Sequence, residues 1–356
     1  MDGLAVARHT SSVVSAAKLL DWYDRHKRDL PWRHGAVDPW QVLLTETLLQ
    51  QTTVATVLPH HARFLARFPT AIAMAAVAEE EVLRLWAGLG YYARARRLHA
   101  ASRIIAASGF PTDIEALRAL PGVGAYTAAA VAAIGLGLPV VPVDGNVERV
   151  MARVARVEDV LPGAKRTIDA AAAVIGQQEA ARARAGDFAQ ALFDLGATIC
   201  TPTSPTCLAC PWRDGCAGRD IAERLPVRPP KKQRSHWFGV HFLLQDATDR
   251  VLLCRRPRDG LLGGMMALPG TPWRAAAWEP EEALAMAPAK AAWRELGSVR
   301  HGFTHAELEI TVLRGRVARI HATGERVPAA RLAQAGLPSL MLKCVRLAGL
   351  ATPTDD

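Results

Sequence analysis

The chain has 356 residues, half of them hydrophobic, with 43 Lys and Arg against 34 Asp and Glu and a formal net charge of +9. That length accommodates two domains, or three, each with its own core. The basic balance favours a polyanionic partner, nucleic acid before membrane. Met1 to Ser15 lacks the long apolar core of a secretory signal, so a soluble protein is expected. The most apolar stretch, Ala125 to Val143, is interrupted by Gly135, Gly137, Pro139 and Pro142. It reads as a buried helix followed by an extended segment, and no membrane partner is expected.

In chain order, residues 11–27 form an amphipathic pattern that Pro31 stops. A second helix is predicted from Trp40 to about Pro59, its core positions Val42, Leu43, Leu44, Leu48 and Leu49 surrounding Glu46. A Glu among leucines is either a residue at the polar edge of the helix or a carboxylate buried on purpose, and for an arbitrary helix the first is the commoner case. Gln50-Gln51-Thr52-Thr53 is read as continuing that helix. Its amides and hydroxyls suit the reading of base edges, or make an ordinary polar helix end. Further helices are predicted at His60–Phe68, Ala78–Trp86, Arg94–Ala107 and Ile114–Leu120. Between two of them, Gly88-Leu89-Gly90-Tyr91-Tyr92 reads as an exposed loop with apolar side chains at its tip, followed by Arg94, Arg96 and Arg97. Such a loop can wedge a DNA stack, or it can cap a helix with its tyrosines on the core.

Leu120-Pro121-Gly122-Val123-Gly124-Ala125-Tyr126-Thr127 is a glycine turn that opens an Ala-rich helix, Tyr126 to Ile134. Its backbone N–H groups and helix dipole offer a phosphate grip that reads no bases. Twenty residues on, Asp144 ends the apolar run Val140 to Val143. A lone carboxylate there is either functional or a helix cap. Helices follow at Val147–Ala155, Ala164–Ala183 and Phe188–Gly196, with no strand pattern before residue 225.

Four of the six cysteines then crowd together as Cys200-x6-Cys207-x2-Cys210-x5-Cys216, while Cys254 and Cys344 stand alone. Four thiols in a short loop call for a soft cation or a cluster. One C-x2-C clip with a single cysteine on either side favours an iron–sulfur cluster over zinc. Leu225 to Arg234 is a Pro-rich basic linker. Beyond it Trp237–Leu244 and Arg250–Cys254 alternate as a strand pair joined at Asp246–Asp249, Leu308–Arg314 reads as another strand, and Glu281–Leu284 and Pro328–Leu332 as short helices.

Taken together these motifs resemble the adenine DNA glycosylases of the MutY family, within the helix-hairpin-helix glycosylase superfamily. The residues that carry the resemblance are Leu30-Pro31-Trp32-Arg33, Thr45-Glu46-Thr47-Leu48-Leu49-Gln50-Gln51-Thr52, Gly88 to Arg94, the Leu120 to Gly124 hairpin, Val143-Asp144-Gly145-Asn146-Val147 and the four cysteines. The resemblance implies a multidomain chain. An all-α glycosylase domain spans 1–225, with the hairpin at about 112–135 and the cluster loop at 200–216. A linker spans 226–235, and an α+β Nudix-like domain that reads 8-oxoguanine spans 236–356. The implied activity is hydrolysis of the N-glycosidic bond of adenine opposite 8-oxoguanine or guanine in duplex DNA after base flipping. The implied setting is a monomer in a bacterial cytoplasm, at the nucleoid.

Residue by residue, the resemblance makes Glu46 the acid, Asp144 the carboxylate beside the sugar and Tyr126 their support. Trp32, Arg33 and Gln190 fall in the adenine pocket. Gln51, Thr52, Leu89 and Tyr91 contact or wedge beside 8-oxoguanine, and Gly122 and Gly124 hold the backbone. Cys200, Cys207, Cys210 and Cys216 would bind a [4Fe-4S] cluster. Phe303-Thr304-His305 matches a Phe-Ser-His lesion-recognition loop, with Thr304 in place of Ser. In endonuclease III-like relatives a nucleophilic Lys occupies the position of Tyr126 and Gln commonly that of Glu46. A phenol cannot form a Schiff base, so a glycosylase without lyase activity is expected. The carboxylate-rich metal helix of Nudix hydrolases is missing, and Arg294-Glu295-Leu296-Gly297 keeps only a fragment of it, which argues against nucleotide hydrolysis. A DNA-binding iron–sulfur protein without catalysis would need neither Glu46 nor Asp144.

Overall fold

A computed structural model describes residues 14–230, 234–257, 260–303 and 306–350. The chain forms two compact units, Met1–Val77 with Arg97–Pro230, and Ala78–Arg96 with Lys231–Asp356. The stretch 78–96, read from sequence as part of the helical domain, thus groups with the second unit.

The first unit is all-α among its described residues. Its helices are α1 (Ala16–His26), α2 (Pro39–Leu49), α3 (Val54–Arg67) and α4 (Ala71–Ala75), then, after α5 (Glu79–Leu85) of the second unit, α6 (Ala93–Ser108), whose first turn also lies there. The series continues with α7 (Ile114–Ala119), α8 (Ala125–Ala130), α9 (Gly145–Val154), α10 (Lys165–Gly176), α11 (Glu179–Ala183) and α12 (Ala185–Asp194). Several of these helices begin where a short polar side chain closes on free backbone N–H groups: Ser15, Asp38, Thr53, Thr70 and Asp113 each accept one and Asp144 two. The core joins α1, α9, α10 and α12 through Leu19, Trp22, Val150, Met151, Ile168, Phe188 and Leu192.

Helix α2 is packed on all sides, with Leu43 to Leu48 buried without interruption. It has no polar edge on which Glu46 could rest, so the carboxyl is an interior group. The expected helix from Trp40 to Pro59 is two helices. Gln51 takes a left-handed backbone, φ +55°, and Thr53 caps α3 by accepting from the Thr56 N–H at 3.3 Å. Polar side chains that bond their own backbone compete with the helix ladder. Likewise 164–183 divides into α10 and α11 around Gln177 and Gln178; the Gln178 amide accepts from the Ala16 N–H and donates to the Val14 carbonyl.

The second unit carries a six-stranded sheet of β1 (Ser235–Asp246), β2 (Arg250–Arg255), β3 (Met266–Ala267), β4 (Arg294–Gly302), β5 (Ala306–Val317) and β6 (Glu325–Pro328). The order is β3-β2-β1-β5-β4, with β6 beside β2; β1 and β5 run parallel and the other pairs antiparallel. Successive residues of β1 serve opposite faces. Leu243 packs with α14 (Ser339–Leu347), whereas Val240, Phe242 and Leu244 pack under Trp278 and Trp293. Covered on both sides, β1 reads as an apolar run rather than an alternation. Arg294 to Gly297 lies on β4, so the fragment of the Nudix pattern is strand, not helix. A short helix α13 (Pro280–Leu284) lies in the Ala- and Trp-rich stretch before it.

Gly196 sits in a π-type turn, Leu195–Ile199, pressed against α9; a Cβ there would come 2.7 Å from Asn146 Cβ. Gly196→Ala should destabilise the helical unit by roughly 1–3 kcal/mol through forced overpacking. A thermal melt of the variant matching the parent would show that α9 yields at no cost.

Candidate active site

Glu46 lies in the middle of α2, 7% exposed. Tyr126, in the first turn of α8, donates its hydroxyl to Glu46 Oε2 at 2.6 Å. The hairpin between α7 and α8 places it. Gly122 there has φ +81°, and a Cβ on it would meet Arg97 Cβ at 2.7 Å, so both the backbone angle and the space require glycine. Burial pushes the Glu46 carboxyl up. The Tyr126 hydrogen bond opposes this, the Asp144 charge adds to it, and the Arg33 charge opposes it, leaving the group at about 7. Burial and then the Glu46 charge push the Tyr126 phenol far above its ordinary range, so it stays a donor.

Asp144 is the N-cap of α9. One carboxylate oxygen accepts from the N–H groups of Asn146 (2.9 Å) and Val147 (2.7 Å), and the other from Asn146 Nδ2 at 3.1 Å. The functional and the helix-cap readings of this residue are therefore compatible: capping aims the carboxylate, and the helix N-terminus favours negative charge. Both carboxyl groups share one electrostatic neighbourhood, since each of the Glu46 and Tyr126 ionisations feels Asp144.

The turn Pro31–Arg33 packs against α2. The Trp32 ring lies 5.2 Å from that of His61, whose Nε2 pairs with Thr45 Oγ1 at 3.1 Å. Arg33 makes a two-pronged contact with Asp194 at the end of α12. Gln190, one turn earlier on α12, donates to the Gly186 carbonyl at 3.3 Å. Phe193 of the same helix packs against the Tyr126 ring, centroids 6.2 Å apart. Trp32, Arg33, Gln190, Tyr126 and Glu46 thus come from elements packed around one site.

Cys200, Cys207, Cys210 and Cys216 line a single cavity together with Arg153, Trp212 and Ile199. Among the described residues no three His, Cys, Asp or Glu side chains close on one metal ion. Sequence reasoning did not single out the two arginines that tie this loop to α9. Arg149 donates to the carbonyls of Cys200 (2.7 Å) and Gly196 (2.7 Å). Arg153 donates to Cys200 Sγ (3.3 Å) and to the carbonyls of Thr201, Pro202 and Leu225. Their signal in the sequence is only an i, i+4 pair of arginines on a helix whose flanks are apolar.

The remaining residues divide. Tyr91 is 49% exposed on a left-handed backbone, whereas Leu89 is buried at 6% and Tyr92 likewise, so the expected apolar tip reduces to one side chain. Gln51 is exposed, and Thr52 donates to the Gln50 carbonyl. Gly124 precedes α8 and its Cα faces open space. Phe303 packs on the core of the second unit, its ring 4.8 Å from that of His301. Thr304 and His305 lie outside the described residues.

A buried carboxyl whose folded value is about 7 and whose unfolded value is 4.5 stabilises the fold below the unfolded value. That stability is lost as pH rises through the folded value. Glu46→Gln should therefore stabilise the protein above pH 7 by on the order of 3 kcal/mol and leave it unchanged near pH 4. Melting temperatures across that range, parent against variant, would expose the absence of such a crossover.

The chain matches the family model described as "HhH-GPD superfamily base excision DNA repair protein" over residues 44–177, and the NUDIX domain model over 240–347. The adenine DNA glycosylase of Mycolicibacterium smegmatis is 42% identical over 221 residues, covering 60% of this chain and 74% of the relative. That of Homo sapiens is 34% identical over 363 residues, covering 83% of this chain and 65% of the relative. Among solved structures, a thermostable thymine-DNA glycosylase superposes with a TM-score of 0.50 at 27% identity, over 58% of this chain and 95% of that one. With such identity over most of its bacterial relative's length, this chain belongs to the family of the adenine DNA glycosylases.

Proposed function

We propose that the protein excises adenine placed opposite 8-oxoguanine, or opposite guanine, in duplex DNA, and leaves the phosphodiester backbone uncut. The observation that carries this reading is the Tyr126–Glu46 hydrogen bond at a carboxyl that burial raises to about 7 and on which the Asp144 charge also acts. Adenine is a poor leaving group until protonated. Glu46 gives its proton to ring nitrogen N7, the C1′–N9 bond breaks, and its electron pair departs with the purine. Positive charge then develops on the sugar, and Asp144 stabilises it, in the two-carboxylate logic of glycoside hydrolysis. Water adds to C1′ and leaves an abasic site. Tyr126 holds Glu46 in place, and its phenol is no Schiff-base nucleophile, which supports a glycosylase without lyase activity.

The hairpin at Gly122 and Gly124 suits a backbone phosphate, and the exposed Tyr91 suits the gap left by a flipped base. The Phe303 to His305 loop is the candidate reader of 8-oxoguanine. The donor set of Cys200, Cys207, Cys210 and Cys216 fits an iron–sulfur cluster: four thiols line one cavity. These four cysteines would hold a [4Fe-4S] cluster, which would cross-link the loop.

Purified holoprotein should contain roughly four iron atoms and four sulfides per chain; a single zinc per chain would refute the cluster. In a single-turnover assay on a duplex with one adenine opposite 8-oxoguanine, strand cleavage should follow only after hot alkali. Its rate should fall as pH rises through about 7, where Glu46 loses its proton. Glu46→Gln should lower that rate by at least about a thousandfold while still binding the duplex. Cleavage without alkali, or near-parental release by the variant, would overturn the assignment.

A further inference from the structure

We propose that Asp194 is the positioning residue of the base pocket: it grips Arg33 end-on, leaves the side edge of the guanidinium for the substrate purine, and balances the charge that Arg33 places beside Glu46. The inference rests on the adenine reading above and extends it to a residue outside the carboxyl pair.

Asp194 ends α12 with its side chain fully buried. Burial of a carboxylate is tolerated only when donors surround it. Here Oδ2 accepts from the Arg28 N–H (3.0 Å) and Arg33 Nη1 (2.7 Å), and Oδ1 from Arg28 Nε (2.6 Å) and Arg33 Nη2 (2.9 Å). Burial alone would raise its carboxyl, but the Arg33 and Arg28 bonds override that and hold it below the usual range. The carboxylate is saturated and has no capacity left for substrate, so it acts through its partners.

The grip determines what Arg33 can offer. Nη1 also donates to the Arg28 carbonyl at 3.3 Å, and the guanidinium lies over the Tyr23 ring, 5.7 Å from its centroid. The end-on fork is thereby used up. What remains is the side edge, and its Nε is buried without a partner. A buried donor with no acceptor is costly in an empty site and is relieved when an acceptor arrives. A ring nitrogen of adenine is such an acceptor. The position is right because Arg33 acts electrostatically on Glu46, and Phe193, the neighbour of Asp194, packs on Tyr126.

The charge balance gives a readout that a purely structural residue would not move. The groups that act on Glu46 are Tyr126, Asp144 and Arg33. Removing the negative charge of Asp194 leaves the Arg33 cation uncompensated, which favours ionised Glu46. Asp194→Asn should lower the single-turnover rate by about a hundredfold through loss of alignment, with duplex affinity within about threefold of the parent. It should also move the alkaline limb of the rate to lower pH. Arg33→Met should move that limb to higher pH. The same opposite shifts should occur in the 13C titration of the Glu46 carboxyl in the free protein, which needs no substrate. If the parent releases no adenine, the adenine reading fails, and the titration still decides the role of Asp194.

A parental rate in Asp194→Asn, or a Glu46 midpoint that does not move, would overturn the proposal. Should that variant not fold, the Arg33→Met/Asp194→Asn pair removes both partners and avoids an orphaned Arg33 charge. Its rate should equal that of Arg33→Met alone; a further loss of tenfold or more would show that Asp194 does not act through Arg33.

Discussion

The helical unit is built around one unfavourable act, the burial of the Glu46 carboxyl in a helix that has no solvent face. A carboxylate there is poorly solvated, so the group holds its proton well above the usual carboxylate range, to about 7. The Tyr126 hydroxyl prevents the opposite excess: by donating to the carboxyl it stabilises the ionised form enough to bring the group back toward 7. Each of those effects depends on a separate element. The apolar run of α2 supplies burial, and the glycine turn at Gly122 delivers the tyrosine. The position of the acid on the pH scale is therefore a property of the packed unit.

Helix α9 links two chemistries that lie far apart in sequence. Its N-terminus is capped by Asp144, and its next two turns present Arg149 and Arg153 to the cysteine loop. Arg149 also donates to Asn146 Oδ1 at 2.9 Å, and Asn146 Nδ2 donates to Asp144. A continuous set of hydrogen bonds thus runs from the Cys200 carbonyl to the Asp144 carboxylate. The close approach of Gly196 to Asn146 fixes the same helix from the other side. Displacing the cysteine loop would withdraw acceptors from two largely buried guanidinium groups, a costly change that α9 would feel along its length.

Much of this was legible in the sequence because the signals were local. The glycine turn, the cysteine spacing, the Asp at the end of an apolar run and the change of texture after residue 225 each report a backbone or ligand requirement at one place. What could not be read there is non-local. Asp194 is an unremarkable acidic residue near a helix end until Arg28 and Arg33, more than 160 positions away, close on it. The break at Gln51 was hidden because each polar residue is acceptable inside a helix, and only their sum favours the turn. Leu89 looks exposed between two glycines, yet its burial depends on packing that no window of sequence contains. The strand β4 escaped notice in an Ala- and Trp-rich stretch whose pairing with β5 includes a bulge between Glu295 and Gly297.

On the proposed reading, the contact between Tyr126 and Glu46 sets a protonated acid at one position against an amine nucleophile at the other. An ammonium group 2.6 Å from the carboxyl, where the phenol now stands, would be a full positive charge in a buried site. It would favour the ionised carboxylate far more strongly than a neutral hydroxyl does. The acid would lose its proton to the pairing, and the amine would be held as an inert cation. The site can carry a proton for the leaving base, or it can carry an amine that attacks the sugar, but the second needs a neutral neighbour. A chain with Glu at 46 therefore requires a donor at 126 that never becomes a cation, and a tyrosine whose phenol is kept protonated by burial meets that requirement.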